Sequence, residues 1–151
     1  MEIIDYERFG RFDVRPFAQA GRGVIQQGDY EWRGGIWTNE WIGACTGVSR
    51  HESMPDEVGG LEIDFRELPE RDVMAIFDAI QLPLKPGMTL QEVKVVLGEP
   101  FESVDFIEDR KGYGFNVGSR FAYEVGCIIR DSIGLTYVSV IRKDVLSKCD
   151  P

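Results

Sequence analysis

Four runs between Phe101 and Ile141 constrain this chain most. They read "FESVDFI", "YGFNV", "FAYEVGCII" and "LTYVSVI", and the turns "EDRKG", "GSR" and "DSIG" separate them. In the middle two runs, apolar residues recur at every second position, as expected where successive side chains point to opposite faces of a strand. In the third run, Phe121, Tyr123, Val125, Cys127 and Ile129 fall on one face. Short turns between alternating strands argue an antiparallel meander with one face packed on helices.

The helices to cover that face lie just upstream. "LKPGMTLQEVKVVLGEP", Leu84 to Pro100, carries its own start and stop signals. Thr89 followed by Glu92 predicts a capping box, and Leu90, Val93, Val96 and Leu97 line one helical face. Gly98 permits the left-handed turn that ends a helix, and Pro100 forbids its continuation. Helix mechanics explains every part of this motif without a ligand. "LPERDVMAIFDAI" predicts a second helix, with Pro69 in the first turn, Glu70 and Asp72 at the positive end, and a stripe of Val73, Ile76, Phe77 and Ile80. Between it and the N-terminal region, "LEIDF" predicts a half-buried strand. Leu61, Ile63 and Phe65 face in, and Glu62 and Asp64 face out.

The N-terminal half is richer in aromatic and β-branched residues. "GVIQQGDYEWRGGIWTNEWIGACTGV", Gly23 to Val48, predicts a three-stranded meander with turns at Gly28-Asp29 and Thr38-Asn39. Residues 1–20 predict an irregular arm or a short strand, 49–60 a polar loop, and 144–151 a tail. Together these segments predict an α+β fold of antiparallel sheets and two short helices. It forms a single compact domain over residues 1–151, with a helix-plus-meander module at 84–143.

The order "GMT-x-x-EV-x-x-x-LG-x-P", then a hairpin holding "YGF", then two longer strands, resembles the SmpA/OmlA family of small outer-membrane assembly lipoproteins. The same module shape recurs in the β-lactamase-inhibitor-protein-like fold. The matching residues are Gly87, Met88, Thr89, Glu92, Val93, Leu97, Gly98 and Pro100. The resemblance covers Leu84 to Lys143. It implies an α+β module whose relatives bind proteins and do no chemistry. The N-terminus departs from that family, for it has no lipoprotein signal and no cysteine to lipidate.

Charge and composition narrow the function classes. The net charge is −9, and residues 1–80 hold 16 acidic residues against 8 arginines and no lysine, a net −8. Such a surface repels nucleic acid and anionic lipid and attracts a basic protein. No apolar run approaches the roughly 20 residues of a membrane span. The opening "MEIIDYERFGRFDVRP" is no signal peptide, so the expected location is cytoplasmic. Cys45, Cys127 and Cys149 are scattered and form no C-x-x-C, so no metal or other cofactor is expected. "GRG" at Gly21–Gly23 and "GYG" at Gly112–Gly114 lack the spacing and the lysine of a phosphate loop.

Two constellations could carry function. His51, the sole histidine, lies in "SRHES" and could act as a base oriented by Glu52 or Asp56; the alternative is a solvated loop histidine. Trp32, Trp37 and Trp41 lie within ten residues of one another, with Tyr30 and Arg33 among them. With the turns placed as above, Tyr30 and Trp32 share one face and Arg33 and Trp37 the other. Trp, Tyr and Arg are enriched at protein hot spots, and the alternative is that these aromatics fill the core between two layers. The leading expectation is therefore a small acidic cytosolic bacterial protein of immunity or inhibitor type. It would engage a basic protein partner through Trp32, Arg33, Trp37 and Trp41, and a homodimer through a sheet edge is a further option. The alternative is a small-molecule or carbohydrate binder that uses the same aromatics in a cleft. An enzyme with His51 as base ranks third.

Overall fold

The computed structural model describes residues 3–17, 26–107, 109–118 and 122–146. Phe121, Cys149 and the Gly21–Gly23 segment lie outside the described residues. Among the described residues the architecture is one eight-stranded antiparallel sheet with four short α-helices and a single 3-10 turn at Arg15–Phe17. The strands are β1 (Gln26–Trp32), β2 (Gly35–Trp41), β3 (Gly47–His51), β4 (Gly60–Asp64), β5 (Glu102–Ile107), β6 (Arg110–Val117), β7 (Tyr123–Arg130) and β8 (Gly134–Arg142). The helices are α1 (Tyr6–Gly10), α2 (Glu70–Ile80), α3 (Leu90–Leu97) and α4 (Lys143–Leu146). Strand order is β1-β2-β3-β4-β8-β7-β6-β5, so the pairing of β4 with β8 joins the two halves. Among the described residues no helix is long and apolar enough to cross a membrane.

One face of the sheet makes the core. Val48, Leu61, Ile63, Phe115, Val125, Cys127, Val138 and Val140 point to it, and α2 covers them with Val73, Ile76, Phe77 and Ile80. The stripe that 3.6-residue periodicity predicts is thus the face that packs. α3 adds Val93 and Leu97 and begins at the predicted capping box, with Thr89 Oγ1 accepting from the Glu92 amide and Glu92 from the Thr89 amide. Burial pushes the Cys127 thiol up to about 12, as suits a core thiol. The segment before α3 docks on β8: the Gly87 amide donates to the Leu135 carbonyl and the Leu135 amide to the Met88 carbonyl. A Cβ at Gly134 would lie 2.4 Å from the Gly87 carbonyl oxygen, so the "GM" of the motif needs a glycine opposite it.

Three local expectations are corrected. The segment at residues 1–20 contains a helix, α1, capped by Asp5 and anchored by Phe9 edge-on to Tyr123 at 5.4 Å. Residues 143–146 form α4 and bury Val145, so the chain does not leave the core at Asp144. The β1–β2 turn is Arg33-Gly34, with φ of 50° and 80°, between the register partners Trp32 and Gly35. This is the two-residue primed turn that matches strand twist. Gly28-Asp29 and Thr38-Asn39 lie inside strands and face each other across the ladder.

The sheet is strongly rolled. Arg33, at the β1–β2 turn, reaches Glu124 on β7 at 3.4 Å. β7 is four positions from β2 in strand order, which in a flat sheet is about 19 Å at the usual strand spacing. The helices lie outside this roll, and its concave face is the other one.

Candidate functional site

Antiparallel register places side chains on the concave face in rows. One row reads Trp41, Gly47, Glu62, Ser139, Gly126, Gly114 and Glu102 from β2 to β5. A neighbouring row holds Ser49, Gly60, Ile141 and Glu124. Glycine and serine dominate the floor, and large residues stand at the ends. The result is a cavity of about 470 Å³ walled by Tyr30, Trp32 and Trp41 on one side and Val104 and Ile128 on the other. Its volume falls in the range of small-molecule pockets, about 300–1,000 Å³.

The glycines are needed for close approach. A Cβ at Gly47 would meet the Trp41 indole at 2.1 Å, and one at Gly126 would meet the Ser139 hydroxyl at 2.6 Å. Trp41 can lie flat on the floor only because Gly47 has no side chain.

The floor is polar and partly buried. The Tyr30 hydroxyl and Ser49 Oγ lie 3.0 Å apart. The Glu62 carboxyl sits in mid-floor, beside the Tyr137 hydroxyl, which also faces Ser139. Burial raises the Glu62 pKa above the ordinary carboxylate range, and the Tyr137 hydroxyl opposes the shift. Burial, followed by the charge of Glu62, pushes Tyr137 far up. Among the described residues no arginine or lysine pairs with Glu62. At the rim, the Arg33 guanidinium lies 4.4 Å over the Trp32 ring while it pairs with Glu124.

The structure brings together Trp32, Arg33 and Trp41 of the predicted group. Trp37 shares their face, contrary to the expected split, but it is 1% exposed. It is packed edge-on to His51 at 5.0 Å and against Gly59, and its indole N–H donates to the Trp32 carbonyl. Trp37 closes one end of the concave face and presents nothing to solvent.

His51 is not a solvated loop residue. It ends β3, 3% exposed, and its Nδ1 accepts from the Ser53 amide at 3.0 Å. The same Nδ1 lies 2.7 Å from Ser53 Oγ, so the residue two positions on holds the ring in place. The Glu52 carboxylate accepts from the Ile36 amide, so it extends the pairing of β3 with the start of β2.

A second polar cluster lies at the β2–β3 loop, where donor atoms of Cys45, Asp64 and Glu67 come within 4.8 Å of one another. These groups are already engaged. Glu67 accepts from the amides of Ala44 and Cys45 and from the Thr46 hydroxyl, and Arg66 forks Asp64. Burial and the adjacent Glu67 raise the Cys45 pKa, which disfavours a metal-binding thiolate. The cluster anchors a loop.

Sequence reasoning missed Glu62, Tyr137, Ser139 and Ser49. Glu62 reads as an outward residue of "LEIDF". The available signal is that Gly47, Ser49, Gly112, Gly114, Gly126 and Ser139 all occupy the non-core parity of their strands. Compared with known proteins, the chain matches no family model, no curated protein and no solved structure.

Proposed function

We propose that this chain is a small-molecule binding protein that takes one compact, largely apolar ligand into the concave face of its sheet. One observation carries the reading: a cavity of about 470 Å³ with an aromatic wall and a floor of glycine, serine and a half-buried carboxyl. Pockets that fix small ligands combine apolar walls with a few convergent polar groups, and that is the composition here. Tyr30, Trp32 and Trp41 supply stacking surface, and the Ser49, Ser139 and Tyr137 hydroxyls supply orientation. The test is a fragment and metabolite screen by thermal shift, repeated on Ser139→Leu, which places an apolar side chain on the floor. A ligand at 100 times its dissociation constant should stabilise the wild type by about 2.7 kcal/mol, and the variant far less. Hits that stabilise both proteins equally, or a screen without hits, overturn the proposal.

A second reading keeps a basic protein partner of the immunity or inhibitor kind. The net charge of −9 supports it, as do Phe101 and Val104, 48% and 45% exposed beside the cavity mouth at edge strand β5. The resemblance to SmpA/OmlA modules points the same way. Ser139→Leu separates the readings: it should abolish fragment binding within the floor and leave capture of a protein partner at the exposed Phe101 unchanged.

A further inference from the structure

Given the cavity reading above, on which this rests, the ligand's charge follows from the groups that line the site. We infer that the cavity selects an organic cation, an amine or guanidinium on an aromatic or aliphatic body, and seats its charge at Glu62. Among the described residues three carboxylates border the cavity, Glu62 on the floor and Glu102 and Glu124 at the rim, against the one guanidinium of Arg33. Arg33 is committed to Glu124, and Glu62 has no ion-pair partner among the described residues. A half-buried carboxyl with no counter-charge is costly when ionised, and a ligand cation offsets that cost.

The walls fit the same ligand. Tyr30, Trp32 and Trp41 offer π-faces, and a cation over such a face is attracted by the ring quadrupole. The rim already holds an intramolecular example: the Arg33 guanidinium sits 4.4 Å over Trp32 and pairs with Glu124 at 3.4 Å. Aromatic face plus carboxylate is the combination that the floor repeats with Trp41 and Glu62, which adjoin Gly47 in one register row. The titratable groups facing Glu62 are Tyr137 from β8, Tyr30 from β1 and Cys45 from the β2–β3 loop. None of them supplies a positive charge, and each becomes less favourable to ionise near the carboxylate.

Three probes share an indole ring and differ in charge: tryptamine (cation), tryptophol (neutral) and indole-3-acetate (anion). Their affinities are measured by heteronuclear NMR titration of the whole chain, following the Gly126 and Ser139 amides. At about pH 8, where carboxyls ionise, tryptamine should bind at least about tenfold more tightly than tryptophol, with indole-3-acetate weakest. The preference should shrink toward about pH 4 and should disappear in Glu62→Gln. Equal binding of tryptamine and tryptophol overturns the cation inference and leaves the cavity reading standing. So does silence of all three probes when neutral fragments still bind. Silence of probes and fragments alike overturns both. The wild-type comparison needs no variant, so a poorly folded Glu62→Gln would not blunt it.

Discussion

Arg142 should be among the most costly side chains to remove, and the reason lies outside the cavity. Its guanidinium is buried, with a side-chain exposure of 1%. It donates to both oxygens of Asp144, at 3.0 and 2.6 Å, and to the Tyr6 hydroxyl, and it lies 4.3 Å over the Tyr6 ring. Glu57 completes the cluster at 3.7 Å. One guanidinium thus ties α1, the loop after β3 and α4 to the end of β8. Breaking a buried pair costs about 3–5 kcal/mol because it strands the partner charge. Here Asp144 and Glu57 are 32% and 39% exposed, so water can recover part of their solvation. That places Arg142→Met at the lower end, about 3 kcal/mol, since methionine keeps much of the packing volume. In a chain of this size the melting temperature should fall by about 6–12 °C. Arg142→Lys keeps the charge, loses the fork, and should cost about half as much. Arg71→Met is the comparison: that side chain is 85% exposed, its partner lies at 3.8 Å, and the cost should stay under about 0.5 kcal/mol. Urea unfolding followed by circular dichroism measures all three. An Arg142→Met cost below about 1 kcal/mol, at unchanged m-value, would place the cluster with surface ion pairs and refute the reasoning.

Three further outcomes are expected. Burial raises the pKa of Glu62 in the folded chain. Its contribution to stability is therefore full below the unfolded carboxyl pKa and is lost as pH rises through the folded value. Glu62→Gln should then be more stable than the wild type near neutral pH, with the gap closing in acid; parallel stability curves would contradict this. Glu67→Ala strips acceptors from the Ala44 and Cys45 amides and the Thr46 hydroxyl, so it should cost about 2–3 kcal/mol. Hydrogen exchange should then quicken at residues 44–46, and unchanged protection there would deny Glu67 its anchoring role. Thr89→Ala removes the hydroxyl that caps α3 and should cost about 1 kcal/mol by urea unfolding, whereas Thr89→Ser should cost little.

The C-terminal half was legible because its signals are local. The Thr89–Glu92 box, the stripe of α2 and the alternation of β6 and β7 each lie within one element, and propensity and pattern agree there. In the N-terminal half the decisive unit was one turn. Asp, Asn and Gly are turn formers, and Gly28-Asp29 and Thr38-Asn39 looked the part. The chain instead turns at Arg33-Gly34, where a non-glycine residue takes φ of 50°. Moving a turn changes the parity of everything beyond it. Tyr30, Trp32, Trp37 and Trp41 therefore meet on one face where two had been expected. α1, five residues long, is too short to show a period and is held by its cap and by Phe9 against Tyr123.

The cavity was illegible for a different reason. "LEIDF" says only that Glu62 leaves the core face. Whether water or protein meets it depends on how far eight strands roll, and that is set by pairings as remote as Arg33 with Glu124. Yet the composition of the concave face holds a signal that parity makes readable. Gly114 and Gly126 sit inside strands and Gly47 opens one, all on the same face, and inside a strand glycine costs about 0.5–1 kcal/mol relative to alanine. For the two interior glycines that is about 1–2 kcal/mol, a sizeable share of the roughly 5–15 kcal/mol by which a domain is stable. Side-chain contacts explain these three: Trp41 lies over Gly47, Phe101 and Glu102 over Gly114, and Ser139 over Gly126. Each of these contacts keeps a large or polar group low against the sheet, so that the space above stays open. A face that had only to be solvated would need no such flattening, and a face that had only to be packed would carry valine and isoleucine, as the opposite one does.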